Sequence, residues 1–277
     1  MARSVKKICS VDGLIVDEVG PWAEEKHLRL KRYIDLARGA RAKFIPPRGS
    51  GGASYIELFS GPGRSLIRDT SRYIDGSPLV AYKAARTSKV RFSEIYLNDL
   101  DPEKADAVDR RIKAIGGAAT VFNKPAELAI DDVLNAVNPA GLHFAFLDPY
   151  NLEYLSFDII RKLSRLKSVD MLIHVSVQDL QRNLDRYSVA GGPLDKFAPG
   201  WRSHVDSNQA IAPFRAALLD YWLSEIRKLG TMPAKGELIV GSRNQRLYWL
   251  VFVSAHDLAQ KLWDAIRDPN RQSDMGF

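Results

Sequence analysis

Short apolar runs alternate along the chain with longer segments whose apolar residues recur at helical spacing. Residues 1–20 mix polar and apolar pieces and read as a strand-like arm or a partly disordered segment. From Pro21, Trp22, Leu28, Leu30, Tyr33, Ile34 and Leu36 predict a helix, with proline suited to its first turn. Pro46 to Gly52 is a turn-rich linker, and a strand follows over about 54–59. A helix is expected after the turn Gly61-Pro62-Gly63, interrupted by Asp75-Gly76-Ser77-Pro78, with another helix over 79–86. Strands are expected at 92–97, 119–122, 142–147 and 171–175, separated by helices at 103–115, 125–137 and 157–166. The run 142–147 is continuously apolar, as a central strand covered on both faces must be. Residues 191–201, with Pro193, Pro199 and Gly200, read as an irregular insertion or lid at about 189–206. A long helix at 209–229, a hairpin of 237–240 and 247–253 around 241–246, a helix at 256–267 and a mobile tail complete the pattern.

Five strand–helix alternations and a terminal hairpin predict an α/β fold. Its sheet is Rossmann-like, mostly parallel and seven-stranded, with helices on both faces and a C-terminal antiparallel hairpin. The domain spans 53–277, preceded over 1–52 by an arm, a basic helix and a linker.

Charge adds a direction. The 277 residues carry a net charge of +7, which tilts partners toward polyanions. Lys26, Arg29, Lys31, Arg32, Arg38, Arg41 and Lys43 crowd the first helix, as a solvated face or as a phosphate-contacting surface. Arg161, Lys162, Arg165 and Lys167 make a second basic stretch. The single cysteine, Cys9, excludes an internal disulfide or a cysteine metal cluster within the chain and reads as a bystander near a mobile terminus. His27, His143, His174, His204 and His256 lack metal-ligand spacing, and no metal is expected. No apolar run approaches the roughly 20 residues that span a bilayer, and no secretory signal is visible, so a cytoplasmic location is expected.

Candidate chemistry lies at the strand ends. In open α/β sheets, ligands bind beyond the carboxyl ends of the strands. The first strand ends in Glu57-Leu58-Phe59-Ser60-Gly61-Pro62-Gly63, where glycines let backbone N–H groups approach a ligand. The second ends in Asn98-Asp99, the third at Asn123, and the fourth in Asp148-Pro149-Tyr150-Asn151. With strand order 3-2-1-4-5 these ends line one edge. Asp99 is then placed to accept both hydroxyls of a ribose diol. Asn98, Asp99 and Asp101 also read as helix-capping residues, and Asp101-Pro102 fits a cap best, leaving Asp99 for the ribose. The turn matches neither the dinucleotide fingerprint nor the phosphate loop, which favours a nucleoside ligand without pyrophosphate. Asp148-Pro149 also reads as a plain strand-ending turn, and Tyr150 and Tyr154 as packing residues.

In order of features the chain resembles a class I S-adenosylmethionine-dependent methyltransferase and, more narrowly, the three-Cys-motif partner proteins. The resemblance rests on Trp22 to Tyr33, Tyr55 through Arg64, Gly76-Ser77-Pro78-Leu79, Asp148-Pro149-Tyr150 and Leu247 through Phe252. The family usually has aspartate at Glu57, alanine at Ser60 and Phe-Gly at Tyr150-Asn151. The resemblance implies S-adenosyl-L-methionine as cofactor and a partner protein with a three-cysteine, radical-enzyme-like motif. It places Glu57, Phe59, Ser60, Gly61, Pro62 and Gly63 around the methionine part, Asp99 at the ribose and Asn123 beside the adenine, with Asn98 and Asp148 also among the cofactor-binding residues. Asp148, Pro149, Tyr150 and Asn151 stand where amino-group methyltransferases hold the target amine, with one proline instead of two. Three functions follow: N-methylation of a nucleic-acid base in DNA or RNA, a non-catalytic partner or scaffold of the three-cysteine protein, or a small-molecule or protein methyltransferase.

Overall fold

The computed structural model describes residues 6–230, 232–233, 236–240 and 246–267. In chain order the elements are β1 (Lys7–Ile8), β2 (Ile15–Val19), α1 (Trp22–Leu36), α2 (Arg38–Arg41), β3 (Ala53–Glu57), β4 (Arg64–Ile67), β5 (Tyr73–Asp75) and α3 (Ser77–Thr87). Then come β6 (Glu94–Asn98), α4 (Pro102–Ala114), β7 (Thr120–Phe122), α5 (Ala126–Ala136), β8 (Leu142–Leu147), α6 (Phe157–Leu163) and β9 (Val169–Ser176). After these follow α7 (Val177–Arg182), α8 (Leu184–Tyr187), α9 (Pro193–Phe197), α10 (Ile211–Arg227), β10 (Met232–Pro233), β11 (Glu237–Val240), β12 (Arg246–Ser254) and α11 (Asp257–Arg267).

The large sheet has the hydrogen-bonded order β10-β12-β9-β8-β3-β6-β7, and β11 also pairs with β12. Strand β3 runs parallel to β6 and β6 to β7, whereas β12 is antiparallel to both β9 and β11. With β10 set aside as a two-residue addition, these are the seven strands read from the sequence. Their order is that of a Rossmann-like class I methyltransferase fold. The expected hairpin forms, though its connection at 241–245 and the tail beyond 267 lie outside the described residues.

Two compact units divide the chain within β8: Met1–Phe144 with Leu262–Phe277, and Ala145–Lys261. In the first, β3 is buried along its whole length and α1 contributes Ala23, Leu30, Tyr33 and Ile34 from one face. The Tyr33 ring lies 4.9 Å from Phe144 and 6.4 Å from Trp263, and Tyr55 lies 6.0 Å from Phe144. This aromatic cluster is the centre of the core.

Three expectations for this unit are corrected. The segment after the glycine turn is not a helix; β4 pairs parallel with β2 and antiparallel with β5, completing a four-stranded sheet β1-β2-β4-β5. Asp69 at φ +60 makes the tight return between β4 and β5, and Thr70 Oγ1 donates to the Ile67 carbonyl at 2.7 Å. Cys9 is fully buried within the ordered arm, not a bystander at a mobile end. Arg41 is no phosphate contact. It is 2% exposed and donates to the carbonyls of Ile34 (3.0 Å) and Val90 (2.8 Å) and to Ser88 Oγ (3.1 Å), over the Phe92 ring. Arg41→Lys keeps the charge but loses this fork, so denaturation should show a loss of about 1 kcal/mol.

In the second unit β9 and β12 form the packed centre, with Tyr248 opposite Ser176 and Leu250 opposite His174. Within residues 191–201 the short α9 buries Leu194 and Phe197, and Trp201 is 1% exposed. Phe197 stacks on Trp222 at 5.0 Å, and Trp201 meets Phe214 edge-on at 5.6 Å. The apolar members of this proline-rich segment hold it down as part of a local core.

Candidate functional site

The first unit carries the glycine turn. Gly61 and Gly63 adopt φ +57 and +79, which favour glycine. A Cβ on Gly63 would lie 2.9 Å from Leu79 Cδ1, so the turn sits directly on α3. The Gly76 N–H donates to the Gly63 carbonyl at 2.8 Å, which joins the turn to the start of the same helix. Glu57 is fully buried at the end of β3, and its carboxylate accepts from the Tyr55 hydroxyl at 2.7 Å and from Ser77 Oγ. The first strand end is thereby bonded to the N-terminus of α3. Pro62 is buried, Phe59 is half-buried, and Ser60 donates its N–H to the Asn98 carbonyl at 2.9 Å.

Asn98, at the end of β6, is 1% exposed and ties three strand ends together. Its amide donates to the carbonyls of Leu58 and Lys124, each at 3.0 Å, and its Oδ1 accepts from Lys124 N at 3.2 Å. Both donors are spent on backbone, so Asn98 acts through the strand ends it fixes. Asp99 follows. Its Oδ2 accepts from Gly61 N and its Oδ1 from Asp101 N, both at 2.9 Å. A carboxylate has about four acceptor positions, so two remain for outside hydroxyls. Burial pushes the Asp99 carboxyl above its ordinary value, opposed by the two N–H groups and by Lys104. Asp101 caps α4, accepting from Glu103 N at 2.9 Å, as its place before Pro102 indicates. Asn123 is exposed and donates to the carbonyls of Asp99 (2.9 Å) and Leu100 (3.0 Å), which turns its own carbonyl oxygen away from these bonds.

Two contributors were not anticipated. Asp17 of β2 bonds Lys104 Nζ at 2.8 Å, and its other oxygen is 3.1 Å from where a Cβ on Gly61 would be. Arg111 of α4 is 2% exposed and donates from Nε and Nη2 to the two oxygens of Asp12 at 2.8 and 2.9 Å. Its Nη1 donates to the carbonyls of Ile15 (2.8 Å) and Pro62 (2.7 Å). The N-terminal arm is thus latched to the glycine turn itself.

Asp148, Pro149, Tyr150 and Asn151 belong to the second unit. Asp148 is half-buried at the end of β8, and its Oδ1 lies 3.3 Å from His174 Nδ1. Pro149 is buried, whereas Tyr150 is 92% exposed and so is no packing residue. Asn151 Oδ1 is buried without a hydrogen-bond partner among the described residues. Beyond it, Leu152 N donates to Asp179 Oδ2 at 2.8 Å, and the same oxygen accepts from the Tyr187 hydroxyl at 2.7 Å. Burial first, then this bond to Asp179, pushes the Tyr187 phenol well above its ordinary range. Asp179 therefore anchors the chain that follows the Asp148–Asn151 turn. Among the described residues no group of His, Cys, Asp and Glu suits a metal ion, and no helix is long and apolar enough to cross a membrane.

No protein-family model matches the chain. No curated protein sequence matches it. Among solved structures, protein LPL1258 from Legionella pneumophila str. Philadelphia 1, of family DUF519, has a TM-score of 0.53 at 12% identity, covering 90% of this chain and 93% of that one. The N-methyltransferase NodS from Bradyrhizobium japonicum WM9, in complex with S-adenosyl-l-homocysteine, has a TM-score of 0.43 at 13% identity, covering 85% and 88%. The O-methyltransferase from Bacillus cereus, also in complex with that compound, scores 0.46 at 11% identity, covering 81% and 80%. At such identities the likeness to LPL1258 speaks to the fold alone, and the two lower scores add nothing to it.

Proposed function

We propose that this protein is an S-adenosyl-L-methionine-dependent methyltransferase that acts on an exocyclic amine of a nucleic-acid base. The observation that carries the reading is Asp99, whose two oxygens are each held by one backbone N–H beside the glycine turn. The two acceptor positions left match a ribose diol, and Asn123 offers a carbonyl to an adenine amine. Glu57, Phe59, Ser60, Gly61, Pro62 and Gly63 would hold the methionine part, with Asn98 fixing the strand ends beneath. The cofactor supplies an already activated methyl group, so the protein's task is to position a nucleophile. Asp148 accepts a hydrogen bond from the target amine, Pro149 and Asn151 shape the turn, and the exposed Tyr150 offers a ring for a base to stack on.

The same reading places the chain among the three-Cys-motif partner proteins. The Gly63–Gly76 hydrogen bond supports it, because it gives one physical reason for the glycine turn and Gly76-Ser77-Pro78-Leu79 to occur together. A radical-enzyme-like partner and a cytoplasmic location accompany that assignment.

The test is methyl transfer from labelled cofactor to single-stranded DNA and RNA oligonucleotides. Transfer is expected to one of them, reduced roughly a hundredfold or more in Asp148→Ala. In Asp99→Asn one acceptor oxygen becomes a donor, and cofactor affinity measured by calorimetry should weaken about tenfold. Tight cofactor binding without transfer to either nucleic acid would favour a small-molecule or protein acceptor, or the non-catalytic partner role.

A further inference from the structure

An N-methylation leaves a proton on the product nitrogen that must be removed. When the acceptor nitrogen attacks, the C–S bond breaks with its electron pair going to sulfur. The N–C bond forms, and the product nitrogen is positively charged until it loses a proton. Asp148 receives that amine in the functional reading above, on which this inference rests. A lone carboxylate is a weak final acceptor near neutral pH, whereas an unperturbed imidazole has a pKa of about 6.5.

We propose that Asp148 and His174 form a dyad in which His174 is a positioning residue and terminal proton acceptor, acting through Asp148. His174 lies on β9, beside β8, with Nδ1 3.3 Å from Asp148 Oδ1. Both side chains are withdrawn from solvent, at 13% and 16% exposure. From the other neighbouring strand, β12, the Tyr248 ring packs against the imidazole at 4.5 Å and 51°, which limits its rotation. Asp148 from β8 and Tyr248 from β12 thus both face His174. Asp179, at the start of the following helix, is engaged by Leu152 N, Asn183 and Tyr187. In the relay, the methylated amine gives its proton to Asp148, and the proton passes from the carboxyl to neutral His174 Nδ1. Asp148 is left ionised, His174 charged and the product amine neutral. Solvent then takes the proton from the imidazolium.

Such a relay requires a neutral His174 at the start of each turnover, so turnover should rise with pH through the imidazole range. Two measurements test it. In the unliganded protein, the five histidines are titrated by NMR, with and without Asp148→Asn. Removing the carboxylate charge is expected to weaken proton binding at His174 roughly tenfold or more. In the oligonucleotide assay, His174→Gln is expected to lose the rise with pH and to lower kcat by roughly a hundredfold, with cofactor affinity unchanged. A His174 that titrates independently of Asp148, or a glutamine variant with the parent's kcat and pH profile, overturns the relay alone. Absence of transfer to either nucleic acid, with the cofactor bound, overturns the functional reading and the relay with it.

Discussion

Asp12→Ala is expected to lower the stability of the protein by about 3–5 kcal/mol, the cost of leaving a buried charge without its partner. Arg111 is 2% exposed, and the two oxygens of Asp12 supply the only negative charge bonded to its guanidinium among the described residues. Its other N–H groups reach carbonyls of the arm and the glycine turn, so the charge cannot swing into water without breaking them. Arg111→Met added to Asp12→Ala should recover most of the loss, because an apolar side chain leaves no charge to desolvate. Chemical denaturation of the four proteins of this cycle checks both statements.

The same bond has a pH signature. The hydrogen bond to Arg111 is the main cause holding the Asp12 carboxyl far below its ordinary value near 3.8. A depressed acid contributes stability in full above its unfolded value and loses it as pH falls toward the folded one. The protein should therefore lose stability below about pH 4 more steeply than Asp12→Ala does.

The second large effect belongs to Gly76→Ala. The new Cβ would lie 2.8 Å from the Gly63 carbonyl carbon and 3.0 Å from its Cα. These are backbone atoms, so no side chain can rotate away and the two segments must separate. Overpacking of this kind costs about 1–3 kcal/mol, and more where the backbone is pinned. Here it is pinned: the Gly76 N–H bonds Gly63, and Ser77 bonds the buried Glu57. The displaced peptide is the floor of the proposed cofactor site, so affinity for S-adenosylhomocysteine should fall well beyond tenfold while the fold persists. Melting temperature and calorimetry together separate the two losses.

What the sequence disclosed follows the range of the interactions involved. The apolar run at 142–147 became β8 with the same bounds, because a strand buried on both faces needs no distant partner to be recognised. Asp101 was legible as a cap for a similar reason: the N–H it accepts from, that of Glu103, is two residues away. By contrast, β4 depends on β2, with Asp17 opposite Ser65, and a stretch such as Arg64–Ile67 has no local pattern strong enough to announce that pairing. Arg41 looked like surface charge because its partners are two backbone carbonyls and the distant Ser88 hydroxyl, none of which marks it as buried in the sequence. Asp12 and Arg111, 99 residues apart, and Asp148 and His174, brought together by neighbouring strands, needed the fold before their pairing could be seen.

Titration of the unmodified protein with S-adenosylhomocysteine tests most directly the proposal that the glycine turn, Asp99 and Asn123 hold a nucleoside-type ligand. Isothermal calorimetry should show one saturable site per chain with micromolar affinity. A flat titration from a protein that melts cooperatively would contradict it.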